Sequence, residues 1–213
     1  KCGLAEEVDV MVYDAWASGD IDGSAELIAG LRRVHPTVPI VLGGPGVHGV
    51  DVELLERFPA VDLVARGEGE VTVVELCEAL ESGLEAAGAV DGITHREGGE
   101  VRRAPDRAML RDLAALPAYA WDLLPPIAKY KEITGEEDGL VPIDSGRGCA
   151  YDCSFCSIGR TWRRRSRPLP AARLVDEMAS LRGIPGARRA YLCHDLFGAD
   201  RNGDVRAGHQ LRG

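Results

Sequence analysis

The chain has 213 residues, with 25 Lys+Arg against 34 Asp+Glu and a formal net charge of −9. Its 45% hydrophobic and 28% charged content is that of a soluble globular protein, and a chain this long buries roughly 70% of its unfolded surface, so its core needs no disulfide staple. The acidic balance argues against non-specific nucleic-acid or acidic-membrane binding, no window reaches the ~18 apolar residues of a membrane helix, and the opening residues do not resemble a signal peptide; one or two cytoplasmic domains are expected.

The first hundred residues alternate short apolar runs with helical patterns. Val8–Tyr13 reads as a strand. Ser24–Val34 reads as a helix with Leu27, Ile28, Leu31 and Val34 on one face, and with Asp20, Asp22 or Ser24 as its cap. Val38–Leu42 reads as a buried strand that stops at the turn Gly43-Gly44-Pro45-Gly46. Val52–Phe58 reads as a helix, Val61–Ala65 as a strand and Glu70–Ser82 as a helix, with Cys77 packed on its apolar face. This order predicts an α/β fold whose first part is a partial, doubly wound parallel sheet covered on both faces.

The pattern then changes. Gly92–Arg96 and Glu100–Arg103 flank Glu97-Gly98-Gly99 and read as a hairpin. From Ala104 to Gly139 the periodicity is weak, with four prolines and the acidic run Glu136-Glu137-Asp138, and the stretch reads as an interdomain connection. Leu140–Ile143 reads as a strand, Pro170–Leu181 as a helix and Arg189–Cys193 as another strand, the start of a second β/α unit. The expected domains are therefore residues 1–90, a hairpin and linker over 91–139, and a further β/α domain from residue 140 to 213.

The six cysteines are Cys2, Cys77, Cys149, Cys153, Cys156 and Cys193, and three of them fall within Cys149-Ala-Tyr-Asp-Cys153-Ser-Phe-Cys156. In a chain of this size without a secretion signal, metal binding is the expected use of such a cluster. A structural zinc site takes four ligands, often as paired Cys-x₂₋₄-Cys. Candidates for a fourth ligand here are Cys77, Cys193 and His194, all distant in sequence. The spacing is C-x₃-C-x₂-C, which matches neither ferredoxin pattern. Three thiolates on a cubane iron–sulfur cluster would leave one iron open to a substrate or cofactor, a catalytic arrangement.

Gly146-Arg147-Gly148-Cys149-Ala-Tyr-Asp-Cys153-Ser-Phe155-Cys156 resembles the cluster loop of radical S-adenosylmethionine enzymes. Those enzymes are built on partial or full (β/α) barrels with this loop after the first strand. The resemblance implies that Cys149, Cys153 and Cys156 bind a [4Fe–4S] cluster, that S-adenosylmethionine chelates the fourth iron, and that Phe155 lies against its adenine. Ala150 departs from the proline common in the family. Trp162, the run Arg163–Arg167 and Leu174-Val175-Asp176-Glu177 are similar to the segment after the cluster in cobalamin-binding members. The arginines suit phosphates, an acidic substrate or a solvated face. At the end of the second barrel strand, the resemblance assigns Asp195 to the amino group of S-adenosylmethionine; His194 beside it suits either a substrate contact or a structural role.

The first half resembles the later part of a cobalamin-binding domain fused to such enzymes, on Pro39–Pro45 and on Asp62-Leu-Val-Ala-Arg66-Gly67-Glu68-Gly69-Glu70. The family's Gly-Gly turn lies beside the cofactor's nucleotide tail, which makes Gly43 and Gly44 cofactor candidates; a tight turn at a strand end is the other reading of them. The glutamates of the second motif suit a helix N-terminus. The Asp-x-His-x-x-Gly motif of such domains, whose histidine ligates cobalt, does not occur in the chain. The resemblance then implies that the first βα units precede Lys1, or that cobalamin binds without that ligand or not at all. The 213 residues then read as the back of one domain joined to the front of a truncated radical barrel.

Together these features predict an enzyme that cleaves S-adenosylmethionine reductively, for cobalamin-dependent methyl transfer or related chemistry. Its expected partners are a small-molecule or peptide substrate and an electron donor such as flavodoxin or ferredoxin, with no nucleic acid and no membrane. A cofactor-binding module without turnover, or a zinc-stabilised binding protein, are the alternatives.

Overall fold

The computed structural model describes residues 11–14, 21–127, 129 and 139–197. The chain divides into two units, Lys1–Met109 and Leu110–Gly213. Cys2, residues 8–10, Asp20, the acidic run 136–138 and the polar stretch from Asn202 lie outside the described residues.

Unit 1 is built on a mixed five-stranded sheet in the order β1-β2-β3-β4-β5. Strands β1 (Met11–Asp14), β2 (Ile40–Gly43) and β3 (Leu63–Ala65) are parallel, in the register Val12↔Val41 and Val41↔Leu63. Helix α1 (Ile21–Val34) joins β1 to β2, and α2 (Asp51–Arg57) joins β2 to β3. α1 begins ahead of the expected caps Asp22 and Ser24, which fall inside it. α3 (Gly69–Leu80) and the short α4 (Leu84–Gly88) follow β3.

Alternation along the strands sorts the core into two faces. Ile40, Leu42 and Val64 pack with Ile28 of α1 and with Leu54 and Leu55 of α2. Val41, Leu63 and Ala65 pack on the other face with Leu76 of α3 and Ala87 of α4. The parallel, doubly covered sheet expected from the sequence is present. Cys77 differs from expectation: it is exposed. α3 turns Thr72, Leu76, Ala79 and Leu80 to the sheet, at helical spacings of three and four, and residue 77 lies a hundred degrees around from Leu76.

The hairpin of β4 (Ile93–Glu97) and β5 (Glu100–Arg103) belongs to this sheet. β4 pairs antiparallel with β3, Val64 opposite Thr94. Arginines lock it in place. Arg96 donates to the carbonyls of Leu55, Val61 and Phe58, capping the end of α2. Arg66 bonds Asp106 and the Ala104 carbonyl. Asp51, fully buried, accepts from Thr94 Oγ1 at 2.6 Å and from both Nε and NH2 of Arg103. Burial pushes the Asp51 carboxyl up, but hydrogen bonds from Arg103 and Thr94 outweigh it and hold the carboxyl below its ordinary value.

Unit 2 contains a β-α-β unit. β6 (Leu140–Asp144) and β9 (Arg189–Cys193) are parallel, with Ile143 opposite Leu192, and α6 (Ala171–Ser180) lies between them in sequence. Val141 and Ile143 of β6 pack with Leu174 and Leu181, and Trp121, Ile127 and Met178 lie against them. Residues 110–127, part of the stretch expected as a linker, are pinned to this unit. Arg173 of α6 donates to the carbonyls of Ala114, Leu116 and Pro117 and to Glu177. Tyr119 Oη accepts from the Asp144 N–H at 3.1 Å.

Candidate cofactor site

The three clustered thiols sit on one closed loop. After β6, β7 (Gly146–Arg147) pairs antiparallel with β8 (Arg167–Pro168). This two-strand stem and the bond from Leu169 N–H to the Ser145 carbonyl, 2.9 Å, tie off residues 148–166. One short helix, α5 (Ile158–Thr161), lies within the loop. Cys153 is exposed, Cys149 and Cys156 are half-buried, and all three are free thiols. The Cys156 N–H donates to the Cys153 carbonyl at 3.1 Å, a turn that draws the second and third thiols onto one bend.

Two glycines let the loop fold on itself. Gly148 has φ +90°, and a Cβ there would stand 2.0 Å from the Arg165 carbonyl oxygen. A Cβ on Gly159 would stand 2.4 Å from the Tyr151 carbonyl oxygen. The base of the loop is also tied to the end of β9. Asp195 Oδ2 accepts the Gly148 N–H at 2.6 Å, and Ser145 donates from both N–H and Oγ to the Cys193 carbonyl, at 2.8 and 3.0 Å. The residue before Cys149 is thus held by the residue assigned above to a cofactor amino group.

Phe155 is 90% exposed, an apolar ring held out beside Cys153 and Cys156. Tyr151 is exposed as well. The arginine run divides. Arg163, Arg164 and Arg165 are exposed, with Arg164 paired to Asp152 at 2.6 Å, whereas the Arg167 guanidinium stacks 5.3 Å from the Trp162 ring centroid and bonds the Leu110 carbonyl. Arg163 and Arg164 have φ of 51° and 56°, strained for residues of this kind. Burial, with the Asp144 carboxylate nearby, pushes the Cys193 thiol up.

Among the described residues, no three His, Cys, Asp or Glu side chains converge as a ready-made metal site. The donor set itself, three free thiols on one short loop, suits iron–sulfur binding, since thiolates are the ligands such clusters take.

In unit 1, Gly43 and Gly44 end β2 at the carboxyl edge of the parallel strands. Gly44 has φ 91° and needs to be glycine for the turn. Gly43 does not: a Cβ there would meet Ala65 at an ordinary 3.8 Å. Arg66 bonds Asp106 and the Ala104 carbonyl, in the segment that follows the hairpin. Its partners are 38 and 40 residues away, a separation at which no local pattern gives a signal.

No protein-family model matches the chain. An uncharacterized methyltransferase of Pyrococcus horikoshii is 33% identical over 186 residues, 87% of this chain and 38% of that protein. The cobalamin-dependent radical SAM methyltransferase TokK of Streptomyces tokunonensis is 33% identical over 151 residues, 70% of this chain and 22% of TokK. The chain belongs to the cobalamin-dependent radical S-adenosylmethionine family. An anaerobic magnesium-protoporphyrin IX monomethyl ester cyclase of Synechocystis is 34% identical over 136 residues, 63% of this chain and 26% of the cyclase. The chain therefore spans less than two fifths of these relatives. The fold agrees with that of the family. TsrM of Kitasatospora setae, a radical S-adenosylmethionine methyltransferase solved with tryptophan and a SAM analogue, superposes with a TM-score of 0.72 at 22% identity, over 97% of this chain and 40% of TsrM. OxsB, solved with aqua-cobalamin and S-adenosylmethionine, gives 0.65 at 22% identity over 92% of this chain and 27% of OxsB. No helix among the described residues is long and apolar enough to cross a membrane.

Proposed function

We propose that this chain forms the cofactor-binding part of a radical S-adenosylmethionine enzyme that carries out methyl transfer or related radical chemistry on a small molecule or peptide. The observation that carries the reading is the stem-closed loop with three free thiols at the carboxyl end of a β-α-β unit, the edge where α/β folds bind ligands. Cys149, Cys153 and Cys156 would hold a [4Fe–4S] cluster, and S-adenosylmethionine would take the iron they leave open. When bound and reduced, the cluster supplies the electron that splits a carbon–sulfur bond of S-adenosylmethionine; a flavodoxin or ferredoxin is the fitting donor. That β-α-β unit is then the start of the radical barrel.

The chain's own residues have separate tasks. Phe155 offers an exposed ring for adenine to stack on. Asp195 holds the Gly148 N–H through Oδ2 and leaves Oδ1 for the amino group. Gly43 leaves its Cβ position empty although nothing in the chain requires this, which suits close approach of a cobalamin tail; Gly44 supplies the turn. TokK and OxsB are cobalamin proteins by name or by bound ligand, and this supports placing cobalamin at unit 1 here.

Anaerobic reconstitution tests the reading. The expected product holds about four irons with matching sulfide and a broad visible absorbance, and with dithionite it releases 5′-deoxyadenosine from S-adenosylmethionine. A product with one zinc and no sulfide sinks the reading, and a loaded chain that releases no 5′-deoxyadenosine reduces it to a binding module.

A further inference from the structure

Charge is unevenly spread over the chain. The net charge of all 213 residues is −9, yet the loop tied off by the stem, residues 148–166, holds four arginines and one carboxylate, Asp152. The arginines are Arg160, Arg163, Arg164 and Arg165, and all four are exposed. They also lie close to the thiols. A Cβ on Gly148, the residue before Cys149, would come within 2.0 Å of the Arg165 carbonyl oxygen. Arg164 pairs with Asp152, the residue before Cys153, at 2.6 Å. An exposed pair of this kind contributes little and is readily given up for another carboxylate.

The backbone that carries them favours a different residue. α5 ends in a left-handed turn: the Arg163 N–H donates to the Arg160 carbonyl at 3.1 Å and the Arg164 N–H to the Gly159 carbonyl at 2.7 Å, with φ of 51° at Arg163 and 56° at Arg164. Glycine is the usual residue in a turn that ends a helix this way, because a side chain at positive φ is strained. Two successive arginines there are not explained by the fold. What they add is positive charge, held in solvent beside the loop thiols.

We infer that Arg160 and the turn Arg163–Arg165 form the docking surface for an acidic protein that delivers the reducing electron to the loop. The inference rests on the function proposed above, which consumes one electron per cleavage. The reduced partner gives up that electron to the oxidised cluster, and no atom is transferred. A protein fits better than a small anion, because a small-ligand site encloses most of its ligand, whereas these four side chains stand in solvent. The sign of the patch selects the partner: opposite charges steer the encounter and like charges suppress it, so the acidic remainder of the chain turns an acidic protein towards the loop. Cys153, next to the Arg164–Asp152 pair, is itself exposed on this loop.

The test uses the full chain, reconstituted anaerobically, with reduced flavodoxin as the acidic probe. Three double variants are compared with the parent: Arg163→Gly with Arg164→Gly, Arg160→Gln with Arg165→Gln, which leaves the left-handed residues alone, and Arg163→Lys with Arg164→Lys, which keeps the charge. Iron per chain, the extent of reduction by excess dithionite and the second-order rate of reduction by flavodoxin are measured. Iron and dithionite reduction are expected to be the same in all four proteins. At about 0.01 M salt both neutral variants react with flavodoxin roughly five- to tenfold more slowly than the parent, and the lysine variant stays close to it. At about 1 M salt, where charges are screened beyond about 3 Å, the rates converge. Unchanged flavodoxin rates in both neutral variants overturn the inference and leave the proposed function standing. So does a loss that persists at high salt or comes with lower iron uptake, which means that the arginines shape the loop. Inorganic phosphate that blocks flavodoxin more than chloride of equal ionic strength also overturns it, in favour of a small-anion site. A parent chain that dithionite reduces and flavodoxin does not overturns the inference alone; a parent chain that takes up no iron overturns it together with the function.

Discussion

The arginines of unit 1 and those of the cysteine loop are put to opposite uses. In unit 1, Arg66, Arg96 and Arg107 each reach across the fold to carbonyls or side chains distant in sequence. In the loop, Arg163, Arg164 and Arg165 face solvent. Apolar groups show the same contrast. Unit 1 has fully buried clusters on both faces of its sheet, whereas the loop of unit 2 holds Tyr151 and Phe155 in the open. The sheet of unit 1 is closed by packing on both faces and the loop of unit 2 stands open, the usual division between a rigid frame and the loops it carries.

Cys153→Ala breaks the contrast from the loop side and has the largest expected effect. Removing one of three thiolates abolishes the cluster, read as loss of iron and sulfide on reconstitution, while the thermal unfolding of unit 1 stays where it was. Gly148→Ala comes next. The new methyl would overlap the Arg165 carbonyl oxygen at a φ that favours glycine, so iron uptake falls to a small fraction while far-ultraviolet circular dichroism is kept.

Asp51→Ala tests the scaffold side. It strands Thr94 and Arg103; a broken buried pair costs about 3–5 kcal/mol, and Arg103 is half exposed, which lowers the expectation to about 2–3 kcal/mol. Urea unfolding at pH 7 reads it. The smallest effect is that of acid. The folded Asp51 carboxyl titrates below its unfolded value, so its contribution is complete above about pH 4 and is lost as the pH falls through the lower, folded value. Asp51→Asn should flatten that limb of the stability curve, and equal acid slopes for parent and variant would show that Arg103 and Thr94 do not hold the charge.

The sheet of unit 1 was readable because its strands are buried on both faces as short apolar runs, and because Gly43-Gly44-Pro45 and Glu97-Gly98-Gly99 punctuate them. Arg189–Cys193 was readable to the residue. The stem β7/β8 was not, since two-residue strands carry no periodicity. Cys77 was misplaced because Leu76 and Cys77 are both apolar and only the phase of α3 decides which one faces the sheet. In the candidate site, the three cysteines stood out by spacing alone. The grip of Asp195 on Gly148 spans 47 residues and is visible only in three dimensions. The same holds for the slot that Gly146 opens for His194.

The β7/β8 stem has a consequence for how such loops change over time. Paired strands lie about 4.8 Å apart, so the chain leaves the frame at Arg147 and rejoins it at Arg167 almost where it left. What hangs between is a detachable handle. Residues can be added to or taken from it at a closure cost that grows only slowly with length, and neither β6 nor α6 has to move. A cyclised peptide of residues 145–169 would carry the same three thiols without the rest of the protein.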